Sequence, residues 1–301
     1  MELIVQNIRG GKSYKKIQNL KNSYKERSNS ILCLTETSLK NNDLTRFAFR
    51  LGYGHHQNLI FHDTDSQNLN SNRGVTIVLS KRNQLEDLKV KSSGFGDFLI
   101  LSGKVSKRPF VIGLFYGSAN PNDIISLGTV SRFCLAFNNI CQPLDNPQMN
   151  VTGDFNFILN SSDVTTNSHY NRKPQTERYF SNFLKQNNLI DLHTSLYPDL
   201  PQHTFKRSNQ GNVTCSSRLD RFYSNAEPRF CDLIHGLFVQ SDHSSLHARI
   251  DNSLKETKRS QNRFADHLLK SKNFLTKMHT FLHEKLILEC PDVALNLPES
   301  Y

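Results

Sequence analysis

The sequence contains no CxxC pair: its six cysteines, at 33, 134, 141, 215, 231 and 290, are scattered along the chain. That speaks against a zinc ribbon or a thioredoxin-like motif and leaves free thiols in a reducing compartment as the simplest expectation. The histidines give no zinc spacing either, since His55-His56 with His62 matches none. No apolar run approaches the roughly 18 residues that a membrane helix needs. The N-terminus MELIVQNIRG lacks the basic segment and apolar core of a secretory signal. A soluble, intracellular protein with no membrane partner is expected. Internal repeats and low-complexity tracts are also missing.

What is present is enough apolar material for a sizeable core: 37% of the 301 residues are hydrophobic, including 20 Phe. That excludes global disorder. The formal charge is +10, and nearly all of the excess lies on residues 1–250. A basic globular body favours nucleic acid or another polyanion as partner.

Short apolar runs separated by turn signals predict strands at 2–8, 31–34, 73–79, 98–101, 109–116, 149–153, 203–205, 218–223 and 246–250. Helical character falls at 12–28, 122–140 and 175–188. A mixed sheet architecture with covering helices follows. KRSNQGNVTCSS (206–217) reads as a hairpin with Asn-Gln-Gly-Asn at its tip and Lys206 and Arg207 at its base. From 251 the composition changes to the charged run DNSLKETKRSQN. Phe264, Leu268, Phe274, Met278, Phe281, Leu282 and Leu286 then recur at helical intervals. The organisation expected is one domain over 1–250 and a charged linker with an amphipathic helical tail over 251–301.

One stretch departs from plain strand chemistry. MNVTGDFNFIL (149–159) carries a carboxylate and a carboxamide two residues apart, just after a glycine. In an extended chain residues i and i+2 point the same way, so Asp154 and Asn156 project together, the glycine letting the chain turn. Similar polar interruptions end other apolar runs: Gln6-Asn7 after LIV, Thr35-Glu36-Thr37 after ILCL, and Ser241-Asp242-His243-Ser244 before the last strand. Tyr116 closes VIGLFY, and Asp220 sits inside SRLDRFY. Each alone is an ordinary strand-capping polar residue. Together they are the side chains of a metal-assisted phosphodiester site.

The ordered motifs QN, TET, RGV, Y, GDFN, SRLDRFY and SDHS, spanning 6–244, resemble the exonuclease-endonuclease-phosphatase superfamily. LIDLHTSLYP (189–198), His203-Thr-Phe205 and Ser217-Arg-Leu-Asp220 are similar to the apurinic-endonuclease-like domain of non-LTR (LINE-type) retrotransposons. In the tail, Arg263-Phe-Ala-Asp-His-Leu-Leu269 resembles the linker leading to a reverse transcriptase. The missing Trp also speaks against the aromatic pocket common in apurinic enzymes. The resemblance implies a DNase I-like fold, a four-layer α/β sandwich of two packed mixed sheets flanked by helices. It implies a Mg²⁺- or Mn²⁺-dependent endonuclease that nicks double-stranded DNA to prime reverse transcription. It would work in the nucleus beside a downstream reverse transcriptase domain. An apurinic repair endonuclease and an inactive DNA-binding remnant are the alternatives.

Carried onto this sequence, the resemblance gives Glu36, Asn7 and Asp242 as metal-associated oxygens. Asp154 and Asn156 would position and activate water, Asp220 would pair with His243 at the phosphate, and Tyr116 would donate to phosphate or leaving oxygen. Thr204, Ser217 and Arg218 are structural or phosphate-contacting neighbours, and Asn122 is preferred to Asn120 as a phosphate-binding amide. Arg73, Arg172, Lys173, Lys206 and Arg207 are candidates for DNA backbone contacts. Arg9 stands where relatives carry Asp or Asn, placing a positive charge beside the metal.

Overall fold

The computed structural model describes residues 1–25, 30–51, 58–65, 73–80, 85–165, 172–200, 202–209, 212–234 and 241–250. The tail helix expected after 251 lies outside them. The first sheet is built from β1 (Glu2–Asn7), β2 (Ile31–Thr35), β3 (Asn58–Asp63), β4 (Val75–Ser80), β13 (Pro228–Ile234) and β14 (Ser245–Ile250), in the order β13-β14-β1-β2-β4-β3. The second comprises β5 (Leu85–Ser92), β6 (Phe98–Val105), β7 (Arg108–Tyr116), β8 (Gln148–Asp154), β9 (Ile190–Asp191) and β12 (Asp220–Ser224), in the order β5-β6-β7-β8-β12-β9. β1 pairs in parallel with β2 and β7 with β8, whereas the other pairings are antiparallel, so both sheets are mixed.

The alternation of side chains along each strand divides the apolar residues into layers. Leu3 and Val5 of β1, Ile31 and Cys33 of β2, and Leu99, Leu101, Ile112 and Leu114 of the second sheet fill the space between the sheets. Their neighbours point outward. Ile4, Leu32 and Leu34 meet Ile17 and Leu20 of α1 (Tyr14–Lys25) and Phe47 of α2 (Leu44–Arg50). On the far side, Ile100, Val111, Phe115 and Val151 pack on α3 (Asp123–Cys141) and α4 (Pro174–Gln186) through Phe133, Phe137, Phe180 and Phe183. The result is helix, sheet, sheet, helix: the four-layer sandwich. Much of the phenylalanine lies in this outer layer, where Phe133 meets Phe183 edge-on, Phe155 meets Phe180 at a tilt, and Phe180 stacks on Phe183.

α3 is long and apolar enough to cross a membrane by length and mean hydropathy, although Asp123, Arg132, Asn138 and Asn139 interrupt it. Here it is a core helix, with Val130, Phe133, Cys134 and Phe137 turned onto the second sheet. A separate two-stranded hairpin pairs β10 (Phe205–Asn209) with β11 (Asn212–Ser217). The short helix α5 (Leu192–Leu196) follows β9. Cys33, Cys134, Cys141, Cys215 and Cys231 are free thiols, and burial pushes Cys33 and Cys231 up to about 12.

Candidate active site

Strand direction explains why residues far apart in sequence meet. Asn7 ends β1 and Glu36 follows β2, which are parallel neighbours, while Tyr116 and Asp154 end the parallel pair β7 and β8. β12 and β14 run antiparallel to β8 and β1, so their first residues arrive at the same edge. Asp220 lies directly opposite Asp154, and His243 precedes β14 by two residues.

Asp154 is the centre of the cluster and is 1% exposed. Its Oδ2 accepts from Asn7 Nδ2 at 2.9 Å, and its Oδ1 accepts from the Asn156 backbone N–H at 3.1 Å. His243 Nε2 lies 3.9 Å from Asp154 Oδ2, and His243 Nδ1 lies 2.7 Å from Asp220 Oδ2. Asp220 is itself fixed through its backbone, because Thr204 Oγ1 accepts from the N–H groups of Leu219 (3.1 Å) and Asp220 (3.0 Å). The Phe205 ring lies 5.1 Å from the imidazole. On the other side of Asp154, Tyr116 Oη donates to Glu36 Oε1 at 2.9 Å, a bond that crosses from one sheet to the other. Glu36, Phe205 and His243 border a cavity of about 510 Å³ lined also by Arg9, Asn156, Arg207 and Asp242 among others.

The electrostatics follow from burial. Desolvation, aided by the charges of Asp220 and Glu36 and opposed by His243, pushes Asp154 up to about 7. Burial acts against the charged form of His243, but the Asp220 and Asp154 carboxylates outweigh it and raise the imidazole to about 10. His243 is therefore an imidazolium at neutral pH, with Nδ1–H donating to Asp220 and Nε2–H turned toward Asp154. Burial first, then Glu36 and Asp154, push the Tyr116 phenol upward, so it stays a neutral donor.

The backbone is tuned as well. Glu36 and Asn156 occupy the left-handed region, with φ of 50° and 51°, a conformation that costs an L-residue about 1–2 kcal/mol. Gly153 has a reason different from the turn expected of it. At φ 139° it lets β8 lie so close to β7 that a Cβ there would stand 1.8 Å from the Phe115 carbonyl oxygen. The turn that separates Asp154 from Asn156 is made by Asn156 itself, whose Nδ2 donates to Gly117 O at 3.1 Å.

Several residues named from the sequence stand elsewhere or are otherwise engaged. Asn122 caps α3, its Oδ1 accepting from Ile124 N–H at 2.9 Å, and Asn120 Oδ1 accepts from Asn122 N–H. Arg218 is 5% exposed and ion-paired to Asp191 at 2.6 Å, which leaves it the structural role. Arg73 pairs with Asp97 at 2.9 Å and lies over the Tyr116 ring. Arg172 pairs with Glu177. Lys173, expected at the surface, is buried, its Nζ donating to Ser118 O (2.7 Å) and Asn156 O (2.9 Å) and so tying the loops after β7 and β8 together. Ser217 is buried along the cavity wall, where Arg207 is exposed; Lys206 is exposed and its N–H donates to Asp242 O at 2.9 Å.

Two supports carry little signal in the sequence. Gln6 Nε2 donates to Asn7 O at 2.7 Å and its Oε1 accepts from Ser245 Oγ, locking β1 to β14 beside the site. Phe205 flanks His243 from the hairpin base. A polar residue inside LIVQN was the available signal for Gln6.

The oxygens suit a hard divalent cation. Asp220 Oδ1 and Asp242 Oδ1 are buried without a hydrogen-bond partner, and Glu36 and Asp154 add carboxylates within the same cluster. Atoms of Asp154, Asp220 and His243 also fall within 4.8 Å of one another. A protonated His243 repels a cation, so that trio fits proton chemistry better. Glu36, next to the Thr35 that pairs with Asn7, is the better ligand. Asn7 spends its Nδ2 on Asp154, and its Oδ1 accepts from Arg9 N–H at 3.1 Å, leaving one lone pair to offer.

No family model matches the sequence. Among solved structures, the chain superposes on an AP endonuclease from Leishmania major with a TM-score of 0.67 and 15% identity, covering 84% of this chain and 88% of that one. It also superposes on an AP endonuclease from Archaeoglobus fulgidus with a TM-score of 0.62 and 16% identity, covering 83% of this chain and 99% of that one. At such identity the likeness is one of architecture, and the chain carries the DNase I-like fold that these enzymes share.

Proposed function

We propose that the protein is a divalent-metal-dependent DNA endonuclease that hydrolyses one phosphodiester of a duplex. One observation carries the reading. Asn7, Asp154, His243 and Asp220, drawn from four separate segments, stand in a chain of hydrogen bonds and near contacts, and His243 lines one cavity with Glu36, which Tyr116 holds. Phosphodiester hydrolysis needs a base for water, a donor for a developing oxyanion and neutralisation of the non-bridging oxygens. Asp154, pushed up to about 7, is matched to take a proton from water near neutral pH. Asn7 and Asn156 fix its two oxygens. The His243 imidazolium, oriented by Asp220, donates from Nε2 to a phosphate oxygen. Glu36, with Asn7, would hold Mg²⁺ or Mn²⁺, whose charge would offset that of the scissile phosphate when bound. Tyr116 keeps its proton and aims Glu36.

The role we assign is nicking intact duplex in the nucleus to prime reverse transcription, with a reverse transcriptase domain as partner. It is supported by the retroelement-like segments around 189–220 and 263–269. The neighbouring structures favour a second reading, incision at abasic sites. Supercoiled plasmid and an abasic oligonucleotide, each with Mg²⁺ or EDTA, separate the two. The first reading expects Mg²⁺-dependent open circles and at most a small preference for the abasic duplex. A preference of about 100-fold or more would establish the second, and no Mg²⁺-dependent cutting of either substrate would refute both.

The 206–216 hairpin carries Lys206 and Arg207, and its base is bonded to the His243 segment through Lys206 N–H to Asp242 O and Ser244 N–H to Thr204 O. A hairpin beside the cleft can read groove width. Shortening it is expected to redistribute nick positions on a plasmid while metal-dependent cutting persists. An unchanged pattern of nicks would remove the hairpin from target choice.

A further inference from the structure

Arg9 stands in a cleft lined by two carboxylates, Glu36 and Asp242, and by Lys173, Arg207 and His243. It lines the cavity with Glu36, Asp242 and His243, and its side chain is 56% exposed. The guanidinium is held at one point, Nη1 to Asp242 Oδ2 at 2.8 Å, and the other oxygen of Asp242 is buried without a partner. A guanidinium has five N–H donors. A single bond to one carboxylate oxygen leaves most of that capacity facing the cleft.

The backbone beneath it is fixed from several sides. Arg9 has φ 42°, a conformation glycine would adopt without strain. It is held by Arg9 N–H to Asn7 Oδ1 (3.1 Å), by Gly10 N–H to Glu36 O (2.7 Å) and by Lys16 Nζ, which donates to Ile8 O (3.1 Å) and Arg9 O (2.8 Å). A rigid base under a half-exposed, singly bonded cation is the arrangement of a side chain that can change partners without moving the main chain.

Electrostatics supply the need for the change. A DNA strand entering this cleft meets the Glu36 and Asp242 carboxylates, with Asp154 and Asp220 buried nearby, and the neighbouring Lys173 ammonium is committed to two carbonyl oxygens. Resting on the endonuclease reading, we propose that Arg9 is a substrate-binding residue that exchanges partners: without DNA its guanidinium rests on Asp242, and with DNA it turns to a backbone phosphate beside the scissile bond. A phosphate accepts two parallel N–H bonds from a guanidinium, whereas Asp242 receives one here.

The test measures binding of a short duplex by anisotropy over a salt series in EDTA, with wild type, Arg9→Asn and Arg9→Lys. Asn tolerates the left-handed backbone, so folding is preserved, and circular dichroism checks it. The expected result is that Arg9→Asn weakens binding about 10-fold and lowers the slope of log affinity against log salt by about 1, with Arg9→Lys retaining most of the slope. Asp242→Asn is expected to tighten binding, and to do so less in the Arg9→Asn background, because the released guanidinium is what the DNA gains. Equal affinities and slopes for wild type and Arg9→Asn would overturn the exchange while leaving the endonuclease reading intact. Failure of the wild type to bind duplex would overturn both.

Discussion

Replacing Asp154 by Asn is expected to lower the single-turnover nicking rate by at least about 10³-fold, because the general base is lost while the shape of the site is kept. His243→Ala should lose a similar factor, since it removes the donor that Asp220 holds in place. The same Asp154→Asn change is expected to flatten the pH dependence of the metal-free protein's stability. Asp154 is raised from 3.8 to about 7, chiefly by desolvation. The folded state therefore binds this proton more tightly than the unfolded state, and stability falls as pH rises between those values. The variant carries no such loss. Between pH 4 and 7 the wild type should therefore lose stability relative to the variant, by roughly 5 °C in Tm. Thermal unfolding in EDTA at pH 4 and pH 8 checks this. A variant that retains wild-type nicking would mean that Asp154 is not the base, and a Tm difference from wild type that is the same at pH 4 and pH 8 would mean that it is not a strained buried charge.

The second large effect concerns the ion pair behind the site. Arg221 is fully buried, with Nη2 at 2.8 Å from Asp163 Oδ2 and Nη1 donating to Phe157 O at 3.0 Å. Asp163 Oδ2 also accepts from the N–H groups of Leu159 and Asn160. The pair fastens the segment after Asp154-Phe155-Asn156 to β12, which carries Asp220. Arg221→Met is expected to cost about 3–5 kcal/mol, since it strands a buried carboxylate. Burial works against the charged form of Asp163, but Arg221, the two backbone donors and Arg218 outweigh it and hold the carboxyl below its ordinary value. Its contribution is therefore present above the unfolded pKa and lost as pH falls through the folded one. Wild type should show this acid-side loss in urea unfolding, and Arg221→Met should show less of it. A cost below about 1 kcal/mol would contradict the assignment.

The sequence revealed the site more readily than the edges of the fold. Strands ending in Asn7, Glu36, Tyr116 and Asp154 are short apolar runs that break on a polar residue, a pattern local enough to read. β5 was not legible, because LEDLKVKS is a mostly exposed edge strand with charges on it and no apolar run. β3 and β13 are likewise edge strands, each bonded to one neighbour only, β4 and β14 respectively. Lys173 was misplaced for a related reason. What buries it are the carbonyls of Ser118 and Asn156, 55 and 17 residues away, which no local pattern displays. Asn122 carried a readable signal, an Asn before a helix start, which is a capping position before it is a phosphate contact. Gly153 showed a glycine but not its cause, the close approach of two strand backbones.

The proposed chemistry needs Glu36 to hold a divalent cation beside the base Asp154. Titrating Mn²⁺ into the DNA-free protein, followed by electron paramagnetic resonance, measures this without any turnover. The expected result is one bound ion per chain in the wild type, with Glu36→Gln weakening it by about 30-fold or more. Equal Mn²⁺ affinity in wild type and Glu36→Gln would place the cation elsewhere and contradict the site.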